Sequence, residues 1–175
     1  MKTMAKTMQA YVLTAAGKPL EKRILPMPEP DAGQALLEVE ACGLCHTDLA
    51  YASGEVAPRH ALPLILGHEI VGRVVAAGPP HASLVGKRVL VPAVMPCGDC
   101  ELCRAGRGNA CPRQKMPGND IDGGFATHVL VPAAALVALD NLPASVDPRN
   151  LSVVADAVST AYQAARRAAL AKGDV

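Results

Sequence analysis

Cys97-Gly98-Asp99-Cys100-Glu101-Leu102-Cys103, completed by Cys111, reads C-x2-C-x2-C-x7-C. Thiolates two residues apart converge on one ion from a tight turn, and four sulfur donors satisfy tetrahedral zinc without leaving a position open. The run therefore predicts a closed, structural zinc site of Cys97, Cys100, Cys103 and Cys111 in a lobe spanning residues 95–113. A redox C-x-x-C pair or an iron-sulfur cluster shares the first spacings, but the long final interval and the turn residues around it favour zinc.

Composition bounds the rest. The 175 residues suffice for one well-buried domain with a piece of another. Lys+Arg of 17 against Asp+Glu of 16 leaves a formal charge of +1, which provides no electrostatic footprint for nucleic acid or an anionic membrane. Aromatic content of 2% also removes the stacking platforms of single-strand binders. No apolar run approaches the roughly 20 residues that cross a bilayer. Residues 1–8, with a repeated Lys-Thr-Met and no apolar core, read as a disordered leader rather than a secretion signal. Six cysteines in these spacings then argue for metal-bound thiolates in a reducing cytoplasm.

Up to about residue 140 the chain reads as short strands punctuated by Gly and Pro, the pattern of a mainly β, barrel-like domain. Candidate strands are Ala10–Leu13, Ala35–Glu40, Ile70–Ala76, Arg88–Val91 and Thr127–Val131, the later ones rich in β-branched residues. Between Pro112 and Gly124 the chain is polar and loop-like. From Leu151 to Ala171 it lacks Gly and Pro and is dense in Ala, which predicts one largely helical segment ending at Gly173. Gly173-Asp174-Val175 looks like the entry to a further strand. No G-x-G-x-x-G is present.

A second constellation is Cys42-Gly43-Leu44-Cys45-His46-Thr47-Asp48 with Gly67-His68-Glu69-Ile70-Val71-Gly72. A thiolate and an imidazole from separate loops are suitable partners for another zinc, and Glu69 adds a carboxylate beside His68. Taken singly, a lone Cys is more often a small buried hydrophobe, and a lone His a satisfied or solvated one. Asp48 reads either as an acceptor that orients His68 or as a turn Asp bonding nearby backbone.

These residues carry a family resemblance. Cys45-His46-Thr47-Asp48, Gly67-His68-Glu69-x-x-Gly72, Val85-Gly86-Lys87-Arg88-Val89, the four-cysteine lobe and Gly123-Gly124-Phe125-Ala126 occur in the order seen in zinc-dependent medium-chain alcohol dehydrogenases, which the chain resembles from about Gln9 to Val175. The resemblance implies a GroES-like catalytic domain over residues 9–150. It also implies that residues 151–175 lead toward a Rossmann domain for NAD or NADP that lies outside this chain, so that the chain alone is expected to be inactive in hydride transfer.

By position in that family, Cys45 and His68 match two ligands of a catalytic zinc, distinct from the structural one. The third ligand falls at Asp156, where many relatives have Cys; Thr160 and Tyr162 keep the family register. An Asp oxygen preserves the formal charge of a thiolate but is a harder donor. The alternative is that Asp156 caps the following helix. Glu69 corresponds to a ligand that exchanges with water, or else to an outer acceptor. The resemblance implies that Thr47 takes the alcohol proton, against the plain alternative of a loop hydroxyl. It implies too that His46 and Thr160 lie on the cofactor side. Ala50 stands where many relatives continue the proton relay with histidine. Cys42 reads as packing, and His60, His81 and His128 carry no pattern.

The implied activity is oxidation of a primary or secondary alcohol to a carbonyl, with a homo-oligomer expected of the full-length protein. The segments Pro117–Phe125 and Ala155–Ala157 are similar to the 6-hydroxycyclohex-1-ene-1-carbonyl-CoA dehydrogenase branch, which implies an alicyclic hydroxyacyl-CoA. Two other classes stand beside this reading. One is a zinc-stabilised, non-catalytic binding module, and the other a zinc-free reductase, against which the joint presence of Cys45 and His68 argues.

Overall fold

The computed structural model describes residues 6–171 and 173–174. Among these residues, eight strands, all paired antiparallel, form two sheets. The smaller has the order β2-β1-β4, with β1 at Thr7–Leu13, β2 at Glu21–Pro26 and β4 at Leu64–Ile65. The larger runs β7-β3-β5-β6-β8, with β3 at Gln34–Gly43, β5 at Glu69–Ala77, β6 at Arg88–Val91, β7 at His128–Pro132 and β8 at Val137–Ala138. An antiparallel bridge, Ala10 to Ala126, ties β1 to the segment entering β7. Two sheets joined at that corner give the mainly β architecture expected from the strand pattern, in the GroES-like form that the family resemblance implies.

Alternation explains which face is inside. Val129 and Val131 of β7, Val89 and Val91 of β6, and Leu37, Ile70 and Val74 of the central strands form one buried cluster. Phe125, the only phenylalanine, packs against two smaller clusters, one around Val12 and Ile65 and one around Leu13, Tyr51 and Leu64. It thus joins the two clusters.

The five expected strands are present, but sequence periodicity missed others. β2 is Glu-Lys-Arg-Ile-Leu-Pro with no buried residue, an edge strand stabilised by backbone pairing to β1 and by the Glu21–Arg23 ion pair at 2.6 Å. Helix α1, His46–Ser53, was also unmarked by periodicity; it is set by its ends. Asp48 accepts from the Cys45 N–H at 2.9 Å, and Gly54 closes the helix at φ 84°, a left-handed conformation that favours glycine.

The leader and the C-terminal helix both differ from expectation. β1 begins at Thr7 and Met8 is buried, so these two residues, read as part of the leader, are paired with Pro26 and Leu25; residues 1–5 lie outside the described residues. The Leu151–Ala171 stretch is not one helix. Pro148–Ala155 is 3-10, helix α3 covers Ala157–Arg167, and Asp156 between them adopts φ −139°, ψ −69°. The Ala-rich composition favours helix on either side, but the chain leaves helical geometry at Asp156. α3 then ends six residues before Gly173, and no strand forms at Gly173 or Asp174; Val175 lies outside the described residues.

Leu37 is fully buried at the centre of the large sheet. Leu37→Ala should lower unfolding stability by about 2–5 kcal/mol, read as a shift in the urea midpoint at constant slope.

Candidate metal centre

The central ladder places the site. β3 and β5 pair from Ala35↔Ala77 to Gly43↔Glu69, with two register shifts, one of which leaves Glu40 out of the ladder. Glu40 is held by Arg88, with its Nε at 2.6 Å from Oε2, and by Arg73 at 3.5 Å. The ladder ends where β3 delivers Cys45 and β5 begins just after His68, so a thiol and an imidazole distant in sequence emerge side by side.

A second pairing supports the loop before His68. The N–H groups of Gly123, Gly124 and Phe125 donate to the carbonyls of Ile65, Gly67 and Leu66 at 2.7–2.9 Å. A Cβ on Gly124 would collide with Ile70 and with Cys42 Sγ, and Gly67 sits at φ 96° against Phe125. These glycines allow two backbones to lie in contact behind the site.

Asp48, 1% exposed, is the polar anchor. Its Oδ2 accepts from Cys45 N–H, its Oδ1 accepts from Gly67 N–H at 3.0 Å, and the same Oδ1 lies 3.5 Å from His68 Nδ1. One carboxylate therefore links both approaching loops. His68 is fully buried, and neither ring nitrogen has a hydrogen bond among the described residues. Burial by itself would lower the His68 pKa, but the adjacent Asp48 carboxylate, with a further contribution from Cys45, raises it to about 9.

Asp156 brings the third segment. Its Oδ2 approaches His68 Nε2 to 3.3 Å, and its Oδ1 accepts from Thr160 Oγ1 at 2.6 Å. It makes no side-chain cap on α3, so of the two readings of this residue the capping one is not what the geometry shows. One ligand atom from each of Cys45, His68, Glu69 and Asp156 lies within 4.8 Å of the others. A buried imidazole with two unsatisfied nitrogens, in a ring of one sulfur and two carboxylates, matches the donors that zinc takes.

The remaining expected residues are distributed as follows. Thr47 Oγ1 lies 3.8 Å from Cys45 Sγ. His46, the first residue of α1, is exposed. Thr160, expected on the cofactor side, commits its hydroxyl to Asp156. Cys42 stays outside the group, packed against the large-sheet core beside Gly67 and Gly124, and burial pushes its thiol up to about 12. Sequence reading missed Gly43, above which the Glu69 carboxylate rests, and Thr160 as a partner of Asp156; the i to i+4 spacing of the latter pair was its only signal.

The four-cysteine lobe forms a second group, again with ligand atoms within 4.8 Å of one another. Cys97 Sγ lies 3.9 Å from Cys103 Sγ and 3.5 Å from Cys111 Sγ, too long for disulfides and close enough to share one ion. Backbone donors already favour the thiolate there. The Cys97 N–H donates to Cys111 Sγ at 3.4 Å and holds the Cys111 pKa below its ordinary value, while desolvation and the neighbouring thiols push Cys103 up to about 12. Such a closed cysteine set fits structural zinc. Among the described residues no helix is long and apolar enough to cross a membrane.

Residues 31–141 match the alcohol dehydrogenase GroES-like domain family. Over 159 residues the chain is 38% identical to an alcohol dehydrogenase of Geobacillus stearothermophilus, covering 90% of this chain and 46% of that protein. The acetophenone reductase of Geotrichum candidum, solved in complex with NAD, is similar with TM-score 0.84 at 31% identity, covering 96% of this chain and 49% of that one. A cobalt- and zinc-bound thermostable alcohol dehydrogenase from Pyrobaculum aerophilum gives TM-score 0.85 at 27% identity, covering 97% and 51%. The chain thus spans about half the length of the relatives it matches. In fold, in the order of its motifs and in its cysteine lobe, the chain belongs to the zinc-type medium-chain alcohol dehydrogenase family.

Proposed function

We propose that the chain is the catalytic domain of a zinc-dependent alcohol dehydrogenase that oxidises a primary or secondary alcohol to a carbonyl with NAD or NADP. The observation that carries this reading is the convergence of Cys45, His68 and Asp156 from three distant segments, with Glu69 beside them and both His68 nitrogens without a hydrogen bond among the described residues. When bound, zinc supplies Lewis acidity toward an alcohol oxygen and the nicotinamide supplies the hydride acceptor.

The protein residues have separable tasks in this reading. Cys45, His68 and Asp156 hold the metal. Asp48 fixes the His68 ring from behind, which sets its tautomer and raises the basicity of the other nitrogen. Thr47 takes the alcohol proton, and the closeness of its hydroxyl to Cys45 supports that assignment. Ala50 offers no base to carry the proton further, so its exit uses solvent or another group. His46 lies on the cofactor side, while Thr160 acts through Asp156. Small alcohols are the substrate class. An alicyclic hydroxyacyl-CoA is a narrower reading that rests on the likeness of residues 117–125 and 155–157 alone. Reduced cysteines in both groups suit a cytoplasmic protein, and the full-length protein is expected to form a homo-oligomer.

The deciding experiment is metal analysis combined with turnover of the intact protein. Two zincs per chain are expected, falling to one in Cys45→Ser or His68→Ala together with alcohol-dependent reduction of NAD or NADP. A single zinc confined to the cysteine lobe, with no turnover of any alcohol, would establish the binding module instead.

Asp48→Asn should weaken metal affinity at this site, or kcat/KM, by about 10–100-fold while the far-ultraviolet circular dichroism stays unchanged. Equal activity in the variant would remove Asp48 from the site.

A pH dependence follows from His68. Its metal-free pKa of about 9 lies above the ordinary 6.5, so the imidazolium stabilises the metal-free fold fully below about 6.5, and this contribution is lost as pH rises through about 9. Zinc needs the neutral ring and must displace that proton. Its apparent affinity should therefore climb at least ~10-fold per pH unit up to about 9, measured by chelator competition. A flat profile between about pH 6 and 8 would contradict the assignment.

A further inference from the structure

Helix α3 begins with its first amide donated to another part of the chain. The N–H of Ala157 donates to Oε1 of Glu69, 88 residues earlier, at 3.0 Å, while Asp156, in the ordinary capping position, gives the helix no side-chain bond. Glu69 is 2% exposed, and its other oxygen rests over Gly43, where an added Cβ would overlap Oε2. None of the side chains of α3 is buried. The start of the helix is thus held to the barrel by a carboxylate rather than by a packed apolar face.

We infer that Glu69 is a positioning residue, a cap supplied from β5 that fixes the N-terminus of α3 and so sets where Asp156 presents its oxygen to the metal centre. The physical basis is twofold. The first N–H groups of a helix have no partner within it, and a carboxylate there both accepts one of them and meets the positive end of the helix dipole. Asp156 cannot serve that purpose because its two oxygens are already directed to Thr160 and His68. Moving the cap to Glu69 frees Asp156, and Gly43 provides the space in which the Glu69 carboxylate turns toward the helix. The link to the metal rests on the reading of Asp156 as a ligand given above; the cap itself does not.

Amide hydrogen exchange of residues 157–160, followed in the intact protein with and without metal, reads the cap directly. Glu69→Ala should speed exchange of the Ala157 amide by about 5- to 10-fold, the usual effect of deleting a cap. Glu69→Gln keeps an accepting oxygen and should retain most of the protection. Gly43→Ala keeps the charge but displaces the carboxylate, and it should resemble Glu69→Ala. In protein loaded with cobalt, the visible absorption bands should shift in Glu69→Ala and Gly43→Ala and stay in place in Glu69→Gln. Unchanged exchange in Glu69→Ala, or Glu69→Gln as fast as Glu69→Ala, overturns the cap. Faster exchange with an unmoved cobalt spectrum upholds the cap and overturns the ligand role of Asp156.

Discussion

The end of the β3–β5 ladder, where Gly43 faces Glu69, is the constraint on which the site depends. Antiparallel pairing brings the exit of one strand beside the entry of the next, so residues on the two flanking loops meet without any need for a long excursion. Cys45 and His68 are those residues. The register shift at Glu40 adjusts the last turns of the ladder, and Arg88 and Arg73 hold the displaced carboxylate in place. A one-residue slip would send His68 to the opposite face and dismantle the group.

Burying so many ionisable groups in one place is costly unless each finds a partner. Asp48 solves this by accepting two backbone N–H groups and facing His68, so that its charge is used three times. Glu69 is satisfied by Ala157, and Asp156 by Thr160. Among the described residues, the His68 nitrogens stay without hydrogen bonds. An arrangement in which every acid is satisfied and the base between them is not has its largest unmet demand where a cation would sit.

How far this was legible in the sequence depended on the kind of signal. Strands such as Arg88–Val91 and the buried runs of β3, β5 and β7 announced themselves by β-branched residues between turn residues, and the cysteine lobe by spacing alone. β2 was silent because its stability comes from backbone pairing at an edge, where side chains are free to be polar. α1 was silent because its stability comes from Cys45, Asp48 and Gly54 at its ends rather than from an apolar stripe. The Cys45, His68 and Asp156 grouping was reached through family likeness, since no local pattern connects positions so far apart. The cap on α3 was invisible because both of its halves, Glu69 and Ala157, look ordinary where they stand.

The broken C-terminal helix shows why such sites defeat local reasoning. Ala, Val, Ser and Arg on both sides of Asp156 are compatible with continuous helix, and the preference of each residue is small beside the interactions at the break. In a continuous α-helix the backbone amides around Asp156 would be bonded internally and its carboxylate would follow the helix surface. With the chain turned at φ −139°, ψ −69°, one oxygen reaches His68, the other takes Thr160, and the exposed helix start finds Glu69. Local propensity and global structure disagree at this one residue, and such disagreement is expected where a side chain serves a site rather than the fold.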